Sequence, residues 1–229
     1  MKKIKVMIFA ALGFLAAACD GNDDNADIEK VKPVEIVNGQ ENGFDYADLG
    51  LPSGTLWATR NVGATSPEQA GLYFAWGETT GFTAEQVTSG VWAFTEDEYN
   101  AGPAASISTD LTLEQDAAHV NLGGNWRMPT QAEYQELLDN CDAVWTDDYN
   151  GTGVAGCIFT SKVNGNSVFF PAAGLCYNSS VNYVGSFGYY RSASWYSSSF
   201  AWYLSFIFGS QYLDSDGRYY GFSVRGVFK

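Results

Sequence analysis

Apolar positions along the chain fall into short runs, and the spacing within each run predicts its element. Phe44 to Leu49 and Thr55 to Val62 are β-like runs parted by the turn signal Pro52-Ser53-Gly54, and Leu72-Tyr73-Phe74-Ala75-Trp76 is a third. Residues 77–112 have little periodicity and carry Gly90, Gly102 and Pro103, which predicts a long loop insertion. Thr112-Leu113-Glu114-Gln115 fits a capping box and predicts a short helix ending before Gly123-Gly124. A stronger helix opens at Thr130 with Glu133 as its cap, and Tyr134, Leu137, Leu138 and Cys141 form one apolar stripe. Ile158 to Val163 and Asn166 to Phe170 flank Asn164-Gly165, the signature of a type I′ hairpin. Trp202, Leu204, Phe206 and Phe208 alternate with Tyr203, Ser205 and Ile207, and Phe222 to Phe228 alternates as well. Many short strands with two helices predict an α+β fold with mostly antiparallel pairing.

The first residues follow a different pattern. Lys2, Lys3 and Lys5 precede an apolar run from Val6 to Ala18, too short to span a membrane and suited to a signal peptide over residues 1–18. Ala16-Ala17-Ala18-Cys19 resembles a bacterial lipobox, which implies that Cys19 is lipidated; ordinary cleavage with Cys19 left free is the alternative. Asp20-Gly21-Asn22-Asp23-Asp24-Asn25-Ala26-Asp27 has no apolar period, so residues 19–43 are expected to be an acidic tether. The acidic patch resembles the surface-export signal of Bacteroidota lipoproteins, and it reads equally as a solvated linker. An outer-membrane lipoprotein, held on the cell surface by its lipid anchor, is the expected location.

Composition narrows the function. The 229 residues are 46% hydrophobic and 16% aromatic, enough for one core. Asp and Glu number 26 against 12 Lys and Arg, giving a formal charge of −14, which opposes nucleic-acid binding. His119 is the single histidine, so mechanisms needing two imidazoles are excluded. With Cys19 acylated, Cys141, Cys157 and Cys176 remain; they fit no CxxC pattern and read as buried thiols, or one bridge plus one buried thiol.

Seven segments in order resemble one family: Asp48-Leu49-Gly50-Leu51, Leu56-Trp57-Ala58-Thr59, Asn61-Val62-Gly63-Ala64, Tyr73-Phe74-Ala75-Trp76-Gly77-Glu78, Asn125-Trp126-Arg127-Met128-Pro129-Thr130, Phe170-Pro171-Ala172-Ala173-Gly174 and Gly221-Phe222-Ser223-Val224-Arg225. They look like the FISUMP-type (Fibrobacter succinogenes major paralogous) domain of Bacteroidota lipoproteins, over residues 44–229. The resemblance implies a C-type-lectin-like fold, with two helices flanking a mixed, mostly antiparallel sheet with long loops. It also implies a remoter likeness to formylglycine-generating enzymes and to variable proteins diversified by bacterial retroelements.

Candidate chemistry is sparse. The copper-binding cysteine pair of the formylglycine-generating enzymes has no counterpart in Ser192 to Tyr220, which contains no cysteine to hold Cu(I). The Glu-Pro-Asn, Gln-Pro-Asp and Trp-Asn-Asp tripeptides of calcium-dependent lectins do not occur. Asp148-Tyr149-Asn150-Gly151 and Asp214-Ser215-Asp216-Gly217 look like calcium loops, but an EF-hand register puts Cys157 or Ser223 where a bidentate Glu belongs, so both read as turns. His119 sits in a capped helix without a Gly-x-Ser-x-Gly elbow, and Arg127 and Arg225 read as sheet-edge or core-pairing residues. No catalytic residue, metal or cofactor is expected.

Tyr189 to Tyr220 is crowded with Tyr, Trp and Ser, the composition of immune paratopes. The segment lacks Lys, Glu and Met, as would a region diversified at the adenines of AAC codons. Core-packing strands are the competing explanation for Trp202, Leu204, Phe206 and Phe208. The loop-like positions Tyr196, Ser198, Phe200, Tyr212, Asp214, Asp216 and Tyr219 are the expected contact residues for a glycan or protein partner. A structural part of an outer-membrane complex and an oxidase-like enzyme are the alternatives.

Overall fold

A computed structural model describes residues 37–229; the expected leader, Cys19 and the expected tether up to residue 36 lie outside the described residues. In chain order the elements are β1 (Gly39–Glu41), β2 (Phe44–Asp48), β3 (Leu56–Asn61), β4 (Tyr73–Phe74), α1 (Ala84–Thr88), α2 (Glu96–Ala101), α3 (Ala117–Leu122), α4 (Gln131–Asn140), β5 (Cys141–Thr146), β6 (Gly156–Ser161) and β7 (Ser167–Pro171). β8 (Leu175–Tyr177), β9 (Ser180–Asn182), β10 (Phe187–Trp195), β11 (Phe200–Ile207), β12 (Ser210–Gly217), β13 (Phe222–Ser223) and β14 (Arg225–Phe228) complete the chain. The architecture is α+β.

Four sheets share the interior. Their orders are β1-β2-β3-β14, β12-β11-β10-β13-β4, β5-β6-β7 and β8-β9. Pairing is antiparallel except between β10 and β13, where Tyr190 lies beside Ser223. The last strand returns to β3: Val227 pairs with Trp57 and Phe228 with Leu56. The main core packs α4 against three of the sheets through Trp57, Tyr134, Phe159, Phe170, Tyr190 and Phe206. Arg225, fully buried, ties them together. Its Nε donates to Asn61 Oδ1 at 3.0 Å, and its Nη1 and Nη2 donate to the Ala58 and Phe169 carbonyls at 2.9 Å.

α4 forms as its spacing requires, with Thr130 and Glu133 in a reciprocal capping box and Tyr134 and Leu137 buried. The helix stops at Asn140, so the fourth stripe residue, Cys141, is already the first residue of β5. The expected helix from Thr112 divides. Its capping box closes only a 3₁₀ turn over Leu113–Gln115, and Asp116 then caps α3 by accepting from the His119 backbone N–H. Residues 77–112 are not a featureless loop: α1 and α2 lie in them, capped by Thr83 and Thr95, and Val87 and Tyr99 are buried. Short helices with polar caps have weak apolar periodicity, which hid them.

Three further expectations change. The fold begins before residue 44, because β1 pairs with β2 and falls in the stretch assigned to the tether. The β6–β7 hairpin is not a two-residue type I′ turn. Ser161 N–H bonds the Asn166 carbonyl across a four-residue loop, and Gly165 (φ +77°) has the positive φ while Asn164 does not. Phe208, grouped with the core aromatics, stands 74% exposed at the β11–β12 hairpin tip.

Candidate functional site

Strand pairing decides which way the Tyr/Ser-rich residues turn. In the β10–β11–β12 ladder Arg191 lies opposite Tyr203 and Tyr203 opposite Asp214, while Tyr189 lies opposite Ser205 and Ser205 opposite Tyr212. Paired residues share a face and neighbours alternate. Tyr189, Arg191, Tyr203, Tyr212, Asp214 and Asp216 therefore lie on one face, and Tyr190, Trp202, Leu204, Phe206 and Leu213 on the other. The second face is the core side, where Tyr190, Leu204 and Phe206 are buried.

The first face carries a continuous run of rings. Tyr183 meets Phe187 at 5.4 Å between centroids, Phe187 stacks on Tyr189 at 5.7 Å, and Tyr189 meets Phe222 at 5.2 Å. Phe222 then stacks on Tyr220 at 6.1 Å, and Tyr220 meets Tyr177 at 5.2 Å and Tyr219 at 4.5 Å. A hollow of about 350 Å³ opens among them, lined by Leu175, Tyr177, Asn182, Tyr183, Tyr189, Asp216 and Tyr220. Burial pushes the Tyr189 phenol up to about 12, with Tyr212, Tyr183 and Asp216 adding to it. Tyr220 is raised by its hydrogen bond with Tyr219 and by burial. Both hydroxyls stay protonated at neutral pH and can donate as well as accept.

The fold holds this wall from behind. Fully buried Arg191 lies 3.9 Å from the Phe222 ring centroid, and its Nη2 donates to the Gly217 and Tyr220 carbonyls at 2.6 and 3.0 Å. Burial lowers its guanidinium to about 10, and Asp216 works against that shift. Tyr183 has φ +62°, a conformation costly for an aromatic residue, and it is 57% exposed at the hollow.

The seven expected contact residues do not form one site. Tyr212, Asp214 and Asp216 lie on the ring-bearing face, Asp216 lines the hollow, and Tyr219 touches its wall through Tyr177 and Tyr220. Tyr196, Ser198 and Phe200 are exposed at the far end, in and beside the β10–β11 loop. Tyr196 packs edge-on to Trp202 at 5.1 Å, and Phe200 has the same strand parity as Trp202, so both belong to the opposite face. Arg218 Nη1 fixes this loop by donating to the Ser198 carbonyl at 2.9 Å. Asp214-Ser215-Asp216-Gly217 is not a turn but the end of β12, and each Asp Oδ1 accepts the next backbone N–H at 2.7 Å. Leu175, Tyr177, Asn182 and Tyr183 lay outside the Tyr189–Tyr220 segment; Tyr177-Asn178-Ser179-Ser180-Val181-Asn182-Tyr183 continues the same composition upstream and would have marked them.

Other candidate groups are structural. Cys141, Cys157 and Cys176 are buried free thiols, which settles their pairing; burial pushes them up to about 11, 12 and 12. His119 Nδ1 is 2.9 Å from the Trp126 carbonyl. Arg127 forks onto Glu133, with Nη1–Oε2 at 2.7 Å and Nη2–Oε1 at 2.5 Å. Among the described residues no group of three or more His, Cys, Asp or Glu could hold a metal ion.

No protein-family model, curated protein or solved structure matches the chain. Any functional reading therefore rests on the site's own geometry.

Proposed function

We propose that this chain is a non-enzymatic surface lipoprotein whose C-type-lectin-like domain binds a glycan through the tyrosine-walled hollow. The observation that carries the reading is the wall itself. Exposed or half-buried rings surround an open space with phenol hydroxyls, Asn182 and the Asp216 carboxylate inside it. Sugar rings offer apolar C–H faces and a rim of hydroxyls, which suit ring stacking and hydrogen bonds respectively. The hollow's volume of about 350 Å³ falls within the range of small-ligand sites. The mixed, mostly antiparallel strands and the helices α3 and α4 support the lectin-like comparison. The lipobox-like Ala-Ala-Ala-Cys19 supports the anchor.

A glycan array probed with the protein tests the site. Alanine at Tyr183 and Tyr220 should weaken binding by roughly fivefold per ring, since a ring contact contributes about 1 kcal/mol. The fold should persist, with a modest loss of stability at Tyr220, which packs against the Phe222 cluster. Alanine at Tyr196 and Phe200, on the opposite face, should leave binding unchanged; the reverse pattern would move the site to that face. Retention of a protein ligand with no glycan bound would reject the sugar. Cys19→Ser should release the protein from the membrane fraction, and continued retention would reject the anchor.

A further inference from the structure

A second hollow lies beyond Tyr219, built by the segment between β4 and α2. Two adjoining spaces of about 250 and 220 Å³ share Ala75, Glu78, Trp92 and Phe94 in their walls. Phe82 lies flat on Trp92, with centroids 4.8 Å apart and planes within 1°, and meets Phe94 edge-on at 6.1 Å. Glu78 is half-buried here, burial raising its carboxyl and the Ala104 backbone N–H opposing that, and exposed Glu98 stands at the rim. Arg218 lies over Tyr99, 5.5 Å from its ring centroid, but its Nη1 and Nη2 donate to the Ser198 and Ala104 carbonyls and it forms no ion pair with either carboxylate. Residues 77–112 hold six Asp and Glu and no Lys, Arg or His, and among the described residues neither Glu78 nor Glu98 forms an ion pair.

We infer that this hollow is a binding site for an organic cation, an ammonium head carried on a short alkyl chain. A ring-walled space with a half-buried carboxylate favours a charge that is weakly hydrated and can lie against π faces. An anion would be repelled by the two carboxylates. A neutral sugar can donate hydroxyls to Glu78 but leaves its half-buried charge without a counter-ion. Calcium takes roughly six to eight oxygens, and among the described residues no group of three or more His, Cys, Asp or Glu could hold a metal ion. Each space is below the usual size of a drug-like ligand site, so the fit is to a side-chain-sized group.

The site stands independently of the glycan reading: Tyr219 borders both hollows, and neither test alters it. The test is titration of the full chain with choline, followed by the Trp92 indole N–H in ¹H–¹⁵N spectra. Its uncharged isostere 3,3-dimethylbutanol is the control. Choline should move that resonance and bind about tenfold more tightly than the isostere, the ratio expected when a cation–π contact is partly desolvated. Glu78→Gln should weaken choline by a similar factor without shifting the unfolding midpoint. If that variant fails to fold, the choline-to-isostere ratio on the unaltered protein decides alone. A blocked Gly-Lys-Gly peptide, run in parallel, assigns the source: tighter binding than choline points to a lysine side chain, weaker to a quaternary head group. Equal response to choline and isostere, or an unchanged affinity in a folded Glu78→Gln, would overturn the site. Alanine at Tyr183 and Tyr220 should leave the Trp92 response intact, so either site can fail without the other.

Discussion

Burial works against the charge on Glu133, and its neighbours reverse the effect. The Arg127 fork, the Thr130 backbone N–H and the Thr55 hydroxyl outweigh desolvation and bring the carboxyl from 4.5 to about 2. A folded-state value below the unfolded one means a contribution fully present above about pH 4.5 and lost as pH falls through about 2. The contribution at neutral pH is on the order of 3 kcal/mol. Glu133→Gln should therefore be less stable at pH 7, and the gap to the unaltered protein should narrow between pH 4.5 and 2. Urea unfolding at several pH values checks this, and parallel stability curves would contradict it. The cap at Glu133 was legible because it is local, three residues from Thr130. The choice of core over sheet edge for Arg225 depends on strands that meet only in the folded chain.

At the scale of elements, the β8–β9 hairpin has its position because Gly174 precedes it. Gly174 has φ +66°, and a Cβ there would come 2.0 Å from the Asn182 carbonyl oxygen. That clash involves backbone, which cannot swing aside. Gly174→Ala should displace β9, carry Asn182 and Tyr183 away from the hollow, and cost more than the roughly 1–2 kcal/mol of left-handed strain alone. The expected result is a lower unfolding midpoint together with weakened glycan binding. Unchanged binding in a folded variant would mean that β9 does not shape the site. The alternation of β11 was visible in sequence, yet the expected contact residues straddle β11 and β12 on two faces. Alternation fixes which residues share a side of one strand. It does not say which side of the next strand they join.

For the whole molecule, the folded region extends to β1. The Glu41 carbonyl accepts from the buried Trp126 Nε1 at 2.8 Å, and Glu41 Oε1 accepts the Asn125 N–H at 3.0 Å. A chain beginning at residue 44 strands the indole N–H in the core beside α3, at a cost of about 1–3 kcal/mol. It should unfold at a lower temperature than a chain beginning at residue 37, and equal midpoints would show that β1 is dispensable. β1 was missed because Gly39-Gln40-Glu41 has no apolar residue; its stability comes from its partner strand and from Trp126.

Local signals alone determined the α+β class, the capped helix α4 and most strand positions, since each depends on residues a few positions apart. Tertiary structure alone decided the return of β14 to β3, the parallel seat of β13 beside β10, and the gathering of Tyr177, Tyr183, Tyr189 and Tyr220 around one hollow. Those contacts join positions far apart in the chain, and side-chain periodicity carries no information about which distant strand closes the ladder.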